Sequence, residues 1–163
     1  MSRGLGKIEK AIEAAFTAYP SATFSVLDLG PIAYPGLDSM EKKHRAAIIR
    51  AADKVAERLW WWKCINERPG GHVIYCNRLD VRSYAIGRLR TDFLQNDMSL
   101  PEIEQSLERP EPDGPMAHRS NWKLIQPGGA WWVHVEIEKA RKAGNHAEAD
   151  RLLAELTAGI KRK

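Results

Sequence analysis

Ser39-Met40-Glu41-Lys42-Lys43-His44-Arg45-Ala46-Ala47-Ile48-Ile49-Arg50-Ala51-Ala52-Asp53-Lys54-Val55-Ala56-Glu57-Arg58-Leu59 contains neither proline nor glycine, and Trp60-Trp61-Trp62-Lys63-Cys64-Ile65 comes directly after it. Met40, His44, Ala47, Ile48, Ala51, Val55 and Leu59 recur at helical spacing. This predicts a long helix from Ser39 to Leu59 with one apolar stripe turned to a core. At about 100° per residue, Lys42, Arg45, Ile49, Arg50 and Asp53 project from the opposite side, with Lys43 at its edge. The outward face is therefore basic at its N-terminal end, and Asp53 and Glu57 make it acidic farther along.

Downstream, Trp60 to Ile65 and His72-Val73-Ile74-Tyr75-Cys76 are two β-prone runs separated by Asn66-Glu67-Arg68-Pro69-Gly70-Gly71. Gly70-Gly71 can take the positive φ of a tight hairpin, which puts Arg68 and His72 beside its tip. Either Ile65 or Cys64 then lies across from Cys76, depending on loop length. Three successive tryptophans cannot all face one side of a strand. At least one ring packs under another element or an interface, unless it serves as a stacking platform for single-stranded nucleic acid.

Upstream, Leu5, Ile8, Ile12, Ala15 and Phe16 mark an amphipathic first helix that ends near Tyr19-Pro20. Thr23-Phe24 is a short β-prone pair. Ser25 caps a short helix at Val26-Leu27-Asp28-Leu29, Gly30-Pro31 breaks or kinks the chain beyond Leu29, and Tyr34-Pro35-Gly36 is a turn. After the hairpin, Leu79 to Arg90 predicts a helix carrying Arg82, Arg88 and Arg90, with Val81, Tyr84, Ala85 and Leu89 inward. Residues 96–121 hold Pro101, Pro110, Pro112, Gly114 and Pro115, which predicts a short helix around Glu102 to Leu107 and then an extended linker. Trp122, Trp131 and Trp132 require that segment to pack against something. The last segment predicts a helical hairpin: Ala130 to Lys142, a turn at Ala143-Gly144-Asn145, and His146 to Ile160 with Ala149, Leu152, Leu153 and Leu156 on one side.

The chain of 163 residues, 44% hydrophobic and 28% charged, has the composition of a globular protein. No run approaches the roughly 20 apolar residues that span a bilayer, and the N-terminus lacks the apolar core of a secretory signal, so a cytoplasmic location is expected. The net charge of +4 is uneven. Residues 1–91 hold 15 Lys and Arg against 9 Asp and Glu, while residues 92–163 hold 10 against 12, so a polyanion would bind the N-terminal half.

Chemistry-bearing patterns are sparse. Cys64 and Cys76 show neither metal-ligand nor CxxC spacing and read as free, partly buried thiols, with a redox-sensitive pair as the alternative. His44, His72, His118, His134 and His146 are scattered, and GxSxG, HExxH and GxxxxGK[ST] are absent from the sequence. The expectation is a non-enzyme that needs no cofactor or metal. Gly128-Gly129 reads as a turn before a helix rather than an anion site.

The order helix, short extended pair, short helix, long basic helix and glycine-tipped hairpin resembles winged helix-turn-helix DNA-binding proteins over about residues 5–90. The resemblance rests on element order and not on a signature motif. In that family the third helix enters the major groove and the hairpin lies along the backbone or reaches the minor groove. It implies Lys42, Lys43, Arg45 and Arg50 as groove contacts, and Arg68 and His72 as contacts from the hairpin. Physically, a helix fits the groove, and its Lys and Arg neutralise phosphates or donate to guanine O6 and N7. A helix with an outer charged face is otherwise simply solvated.

The fold class expected is mainly α with a small β-hairpin (α+β). It comprises a winged-helix domain at residues 1–91, a proline-rich connector at 92–129, and a helical hairpin at 130–163 that braces the first domain or dimerises. The function expected is sequence-specific double-stranded DNA binding by a homodimeric transcriptional regulator. A replication, partition or mobile-element DNA-binding protein is the alternative within that class. An interaction adaptor that presents its tryptophans is the alternative outside it.

Overall fold

In the computed structural model, which describes residues 6–65, 72–92, 98–110 and 120–161, the alternation of side chains along two paired strands decides how the chain is layered. β2 (Trp61–Ile65) and β3 (Val73–Asn77) are antiparallel, with Trp62 opposite Cys76 and Cys64 opposite Ile74. A third strand, β1 (Thr23–Ser25), pairs with the other edge of β3, giving the order β1-β3-β2. Successive side chains point to opposite faces, so Phe24, Trp61 and Tyr75 share one face, and Trp62, Cys64, Ile74 and Cys76 the other.

The register differs from both predicted pairings. A tight turn at Gly70-Gly71 would set Ile65 against Cys76, but Ile65 lies opposite Val73. The burial pattern sets this register: it places Trp61 and Tyr75 in one core and the two cysteines in the other. Cys64 and Cys76 are diagonal neighbours, both buried.

The first core fills the space between that sheet face and three helices. α1 (Lys7–Ala18) contributes Ile12, Ala15 and Phe16, and the Phe16 ring stacks on Trp61 with centroids 4.0 Å apart. It stops before Pro20, which disfavours helical geometry at Tyr19. α2 (Val26–Ala33) begins as predicted at Ser25, whose Oγ accepts from Asp28 N at 3.1 Å while Asp28 Oδ2 accepts from Ser25 N at 2.8 Å. It runs past Gly30-Pro31 to Ala33, because Leu27 and Pro31 lie on the exposed side, so the carbonyl that proline leaves without a donor is not buried. Gly36, at φ 80°, completes the turn that Tyr34-Pro35 opens, with Leu37 N donating to Tyr34 O.

α3 (Lys42–Leu59) is three residues shorter than predicted. Met40 packs on the first core instead of extending the helix, and Glu41 N donates to His44 Nδ1 at 3.1 Å to cap it. Ile48, Ala51, Ala52, Val55 and Ala56 form its buried side. Trp60 then takes the left-handed conformation (φ 63°), which turns the chain directly into β2.

The opposite sheet face is covered by α4 (Val81–Thr91), capped by Asp80 Oδ1 at 2.9 Å from Ser83 N. Buried Ser83 donates to Ala22 O at 2.6 Å and accepts from Asn77 N at 2.7 Å, locking the helix to one end of the sheet, where β1 begins beside the end of β3. α4 is buried on two sides, since Ala85, Ile86 and Leu89 also meet Ile103 and Leu107 of α5 (Leu100–Glu108) in a second core. The expected connector therefore contains packed structure: α5, capped by Ser99 as a box with Glu102, and α6 (Trp122–Ile125), which no sequence pattern marked. α7 (Ala130–Lys142) packs on α4 and α6, and α8 (His146–Lys161) returns along α7 after the turn at residues 143–145. The result is mainly helical with a small three-stranded antiparallel sheet between helical layers. Among the described residues, no helix is long and apolar enough to cross a membrane.

Candidate nucleic-acid interface

Lys42, Arg45 and Arg50 stand exposed on the N-terminal half of α3, but only Lys42 and Arg50 lie off its buried side: Arg45, expected on the outward face, is in line with buried Ala52 seven residues on and is exposed because it sits near the helix start. Eight residues of helix separate Lys42 from Arg50, roughly 12 Å along the axis. That distance matches about three to four base steps of a DNA strand. None of the three makes an ion pair among the described residues. Lys43 is exposed too, but its Nζ lies 3.0 Å from Glu41 Oε2.

The other cations of the N-terminal half are mostly engaged. Lys54 and Arg58 pair with Glu9 and Glu13 of α1, at 3.1 and 3.4 Å, and fasten α3 to its neighbour. Lys63 pairs with Asp53 at 3.0 Å. Arg82 meets Glu104 and Glu108, and Arg90 bonds Thr23 Oγ1 at 2.8 Å and faces Asp28. The basic excess thus concentrates on the N-terminal half of α3. Lys7, which periodicity did not single out, stands near it: Lys7, Arg50 and Lys54, together with the carboxylates of Glu9 and Asp53, line a cleft of about 570 Å³ between the start of α1 and α3.

Asp53 divides the outer face. Its Oδ1 accepts from the Tyr75 hydroxyl at 2.7 Å and its Oδ2 from Lys63 Nζ at 3.0 Å, so its charge is turned to the hairpin and partly neutralised. Burial, reinforced by the Asp53 carboxylate, pushes the Tyr75 phenol far above its ordinary range, and it stays a neutral donor. Both strands of the hairpin are thereby attached to α3. Of the two hairpin residues expected at the tip, His72 is exposed just before β3. Arg68 lies outside the described residues.

Each tryptophan of the triplet has a distinct place. Trp61 is buried in the first core. Trp62 lies half-buried on the α4 face, stacked on Tyr84 with centroids 5.9 Å apart. Trp60 Nε1 donates to Glu138 Oε2 of α7 at 3.0 Å. The expectation that a ring packs under the C-terminal helices holds for Trp60.

Gly129 N donates to Gln126 O at 2.8 Å, so Gly128-Gly129 is the expected turn before α7. The two thiols stand 3.7 Å apart, and their mutual contact together with burial holds Cys76 well above the usual thiol range, in the unreactive protonated form. Compared with known proteins, the chain matches no family model, no curated protein and no solved structure.

Proposed function

We propose that this chain binds double-stranded DNA through the N-terminal half of α3, with the β2–β3 hairpin alongside, and acts as a non-enzymatic regulator. The observation that carries the reading is the set Lys42, Arg45 and Arg50. They are exposed on one helix and free of ion pairs among the described residues, whereas most other cations of that half are held by internal partners. A helix fits the major groove, and such a basic stripe supplies phosphate and guanine contacts. Support also comes from element order, since a third helix leading straight into a hairpin is the arrangement of winged helix-turn-helix proteins. Lys43 contributes less in this reading, because Glu41 competes for it.

In this proposal the α7–α8 hairpin braces the first layers, and a homodimer sets two copies of α3 on half-sites about one DNA turn apart. The test is a gel shift with mixed genomic duplex fragments at two salt concentrations, with the Lys42→Ala, Arg45→Ala, Arg50→Ala triple variant alongside. Salt-sensitive retention that the variant loses supports the reading, and no retention at low salt removes it. For the adaptor alternative the triplet offers little: Trp61 is buried, Trp60 is tied to Glu138, and Trp62 is half-buried against Tyr84.

A further inference from the structure

Trp62 of β2, Arg78 after β3, Tyr84 and Arg88 of α4, and Glu138 of α7 enclose a cleft of about 210 Å³, on the side of the sheet opposite α3. One wall is aromatic: the Trp62 ring lies half-buried, inclined 23° to Tyr84. Arg88, one helical turn after Tyr84, is exposed, with its guanidinium carbon 5.8 Å from the centre of the Trp62 ring. Among the described residues, two donors in this wall lack acceptors: Arg78 Nε, which is buried, and the Tyr84 hydroxyl, which is not fully enclosed. A buried donor left unpaired is costly, so such groups point to an acceptor that completes them.

Glu138 does not serve as that acceptor. Its Oε1 accepts from Arg141 at 2.9 Å and its Oε2 from Trp60 Nε1 at 3.0 Å, with Arg78 Nη1 at 3.7 Å. Arg78 and Arg141 thus share this single carboxylate, Arg88 adds a further cation to the lining, and the described residues of the cleft carry excess positive charge. His134, its ring tilted 30° against Tyr84, adds none, because burial and then Arg88 lower its pKa and keep it neutral near pH 7. A ring face, unpaired donors and a positive field together form the recognition set for a planar anion.

We propose that this cleft binds a small aromatic carboxylate, its ring against Trp62 and its carboxylate received by Arg88, the Tyr84 hydroxyl and Arg78 Nε. Its walls come from the sheet, α4 and α7, so the ligand joins the C-terminal helices to the hairpin strand. The site stands whether or not α3 contacts DNA.

The test uses benzoate and its neutral counterpart benzamide, titrated into the full chain labelled with ¹⁵N. The Trp62 indole resonance is identified by its loss in Trp62→Phe. Benzoate shifts that resonance saturably, and benzamide binds at least about tenfold more weakly, the loss of one charge-assisted hydrogen bond. Arg88→Gln weakens benzoate by at least about tenfold, whereas Arg82→Gln, on the same helix but paired with α5, does not. Absence of a saturable shift, equal binding of benzamide, or an equal loss in both arginine variants overturns the proposal. The contrast between benzoate and benzamide needs only the unaltered chain, so it decides the matter even if a variant fails to fold.

Discussion

The Tyr75 hydroxyl donates to Asp53 Oδ1 across 2.7 Å and joins the middle of β3 to the middle of α3. Burial first, then this carboxylate, raises the Tyr75 pKa, so the folded state keeps a proton that the unfolded chain releases near pH 10.0. Stability from this pair is fully present below that pH and is lost as the pH rises above it. Tyr75→Phe should destabilise the fold by roughly 1.5–3 kcal/mol at neutral pH, the net worth of a hydrogen bond to a charged group. The gap between the two proteins should narrow above about pH 10. Urea unfolding at a series of pH values checks both; a gap that stays constant into the alkaline range sinks the account.

Gly87 and Gly159 both lie within helices but should respond oppositely to alanine. A Cβ on Gly87 would stand 2.7 Å from Cys76 Cβ and Sγ, in the layer where α4 crosses the sheet. Overpacking there costs about 1–3 kcal/mol, more than the roughly 1 kcal/mol that alanine gains in a helix. Gly159 of α8 has nothing within 4 Å, so only the helix gain remains. Thermal melts should therefore fall for Gly87→Ala and hold or rise for Gly159→Ala. A melt for Gly87→Ala at or above that of the unaltered chain would show that α4 can shift away from the thiols.

Local chemistry made much of this legible. The three- and four-residue spacing of Ile48, Ala51 and Val55 announced α3, Ser25 as a cap announced α2, and Gly144 marked the turn before α8. What the sequence leaves open depends on distant partners. Thr23-Phe24 reads as a β-prone pair, and the edge of β3 makes it a strand; the inward residues mark α4 but not its second buried side, which α5 covers. The short helix expected around Glu102 forms, with Pro101 in its first turn, where a helix tolerates it. The exposure of Lys42 and Arg50 was readable from periodicity, the place of Arg45 in line with Ala52 was misread, and the freedom of the three from ion pairs was not readable at all, since Glu9 and Glu13 claim Lys54 and Arg58 from another helix. The cleft at Trp62 is assembled from three elements far apart in sequence, so no local pattern announces it.

His134 gives the acid side of the stability curve. Burial first, then Arg88, lowers its pKa, with Glu138 acting against the shift and Arg141 for it. The unfolded chain then binds a proton that the folded state resists, so stability is present above about pH 6.5 and falls as the pH drops through that region. His134→Gln, which cannot be protonated, should flatten this part of the curve, as read by melting temperature between about pH 7 and pH 5. A variant that loses stability with acid as steeply as the unaltered chain would place the sensitivity elsewhere.

The α3 stripe makes a quantitative prediction under the DNA-binding reading. Each phosphate neutralised lowers the slope of log K against log salt by about 0.9, so three such contacts account for a slope of roughly −2.7. Lys42→Ala, Arg45→Ala and Arg50→Ala should each reduce the slope by close to one unit and weaken binding across unrelated sequences, unless one of them reads a base. That residue would instead cost about 1–3 kcal/mol on its own site and little elsewhere. Lys43→Ala should change the slope less, because Glu41, 3.0 Å away, already competes for its charge. Fluorescence anisotropy with a selected and an unrelated duplex, over a range of salt, measures all four. Slopes unchanged in all four variants would detach α3 from the DNA and move the contact to the hairpin.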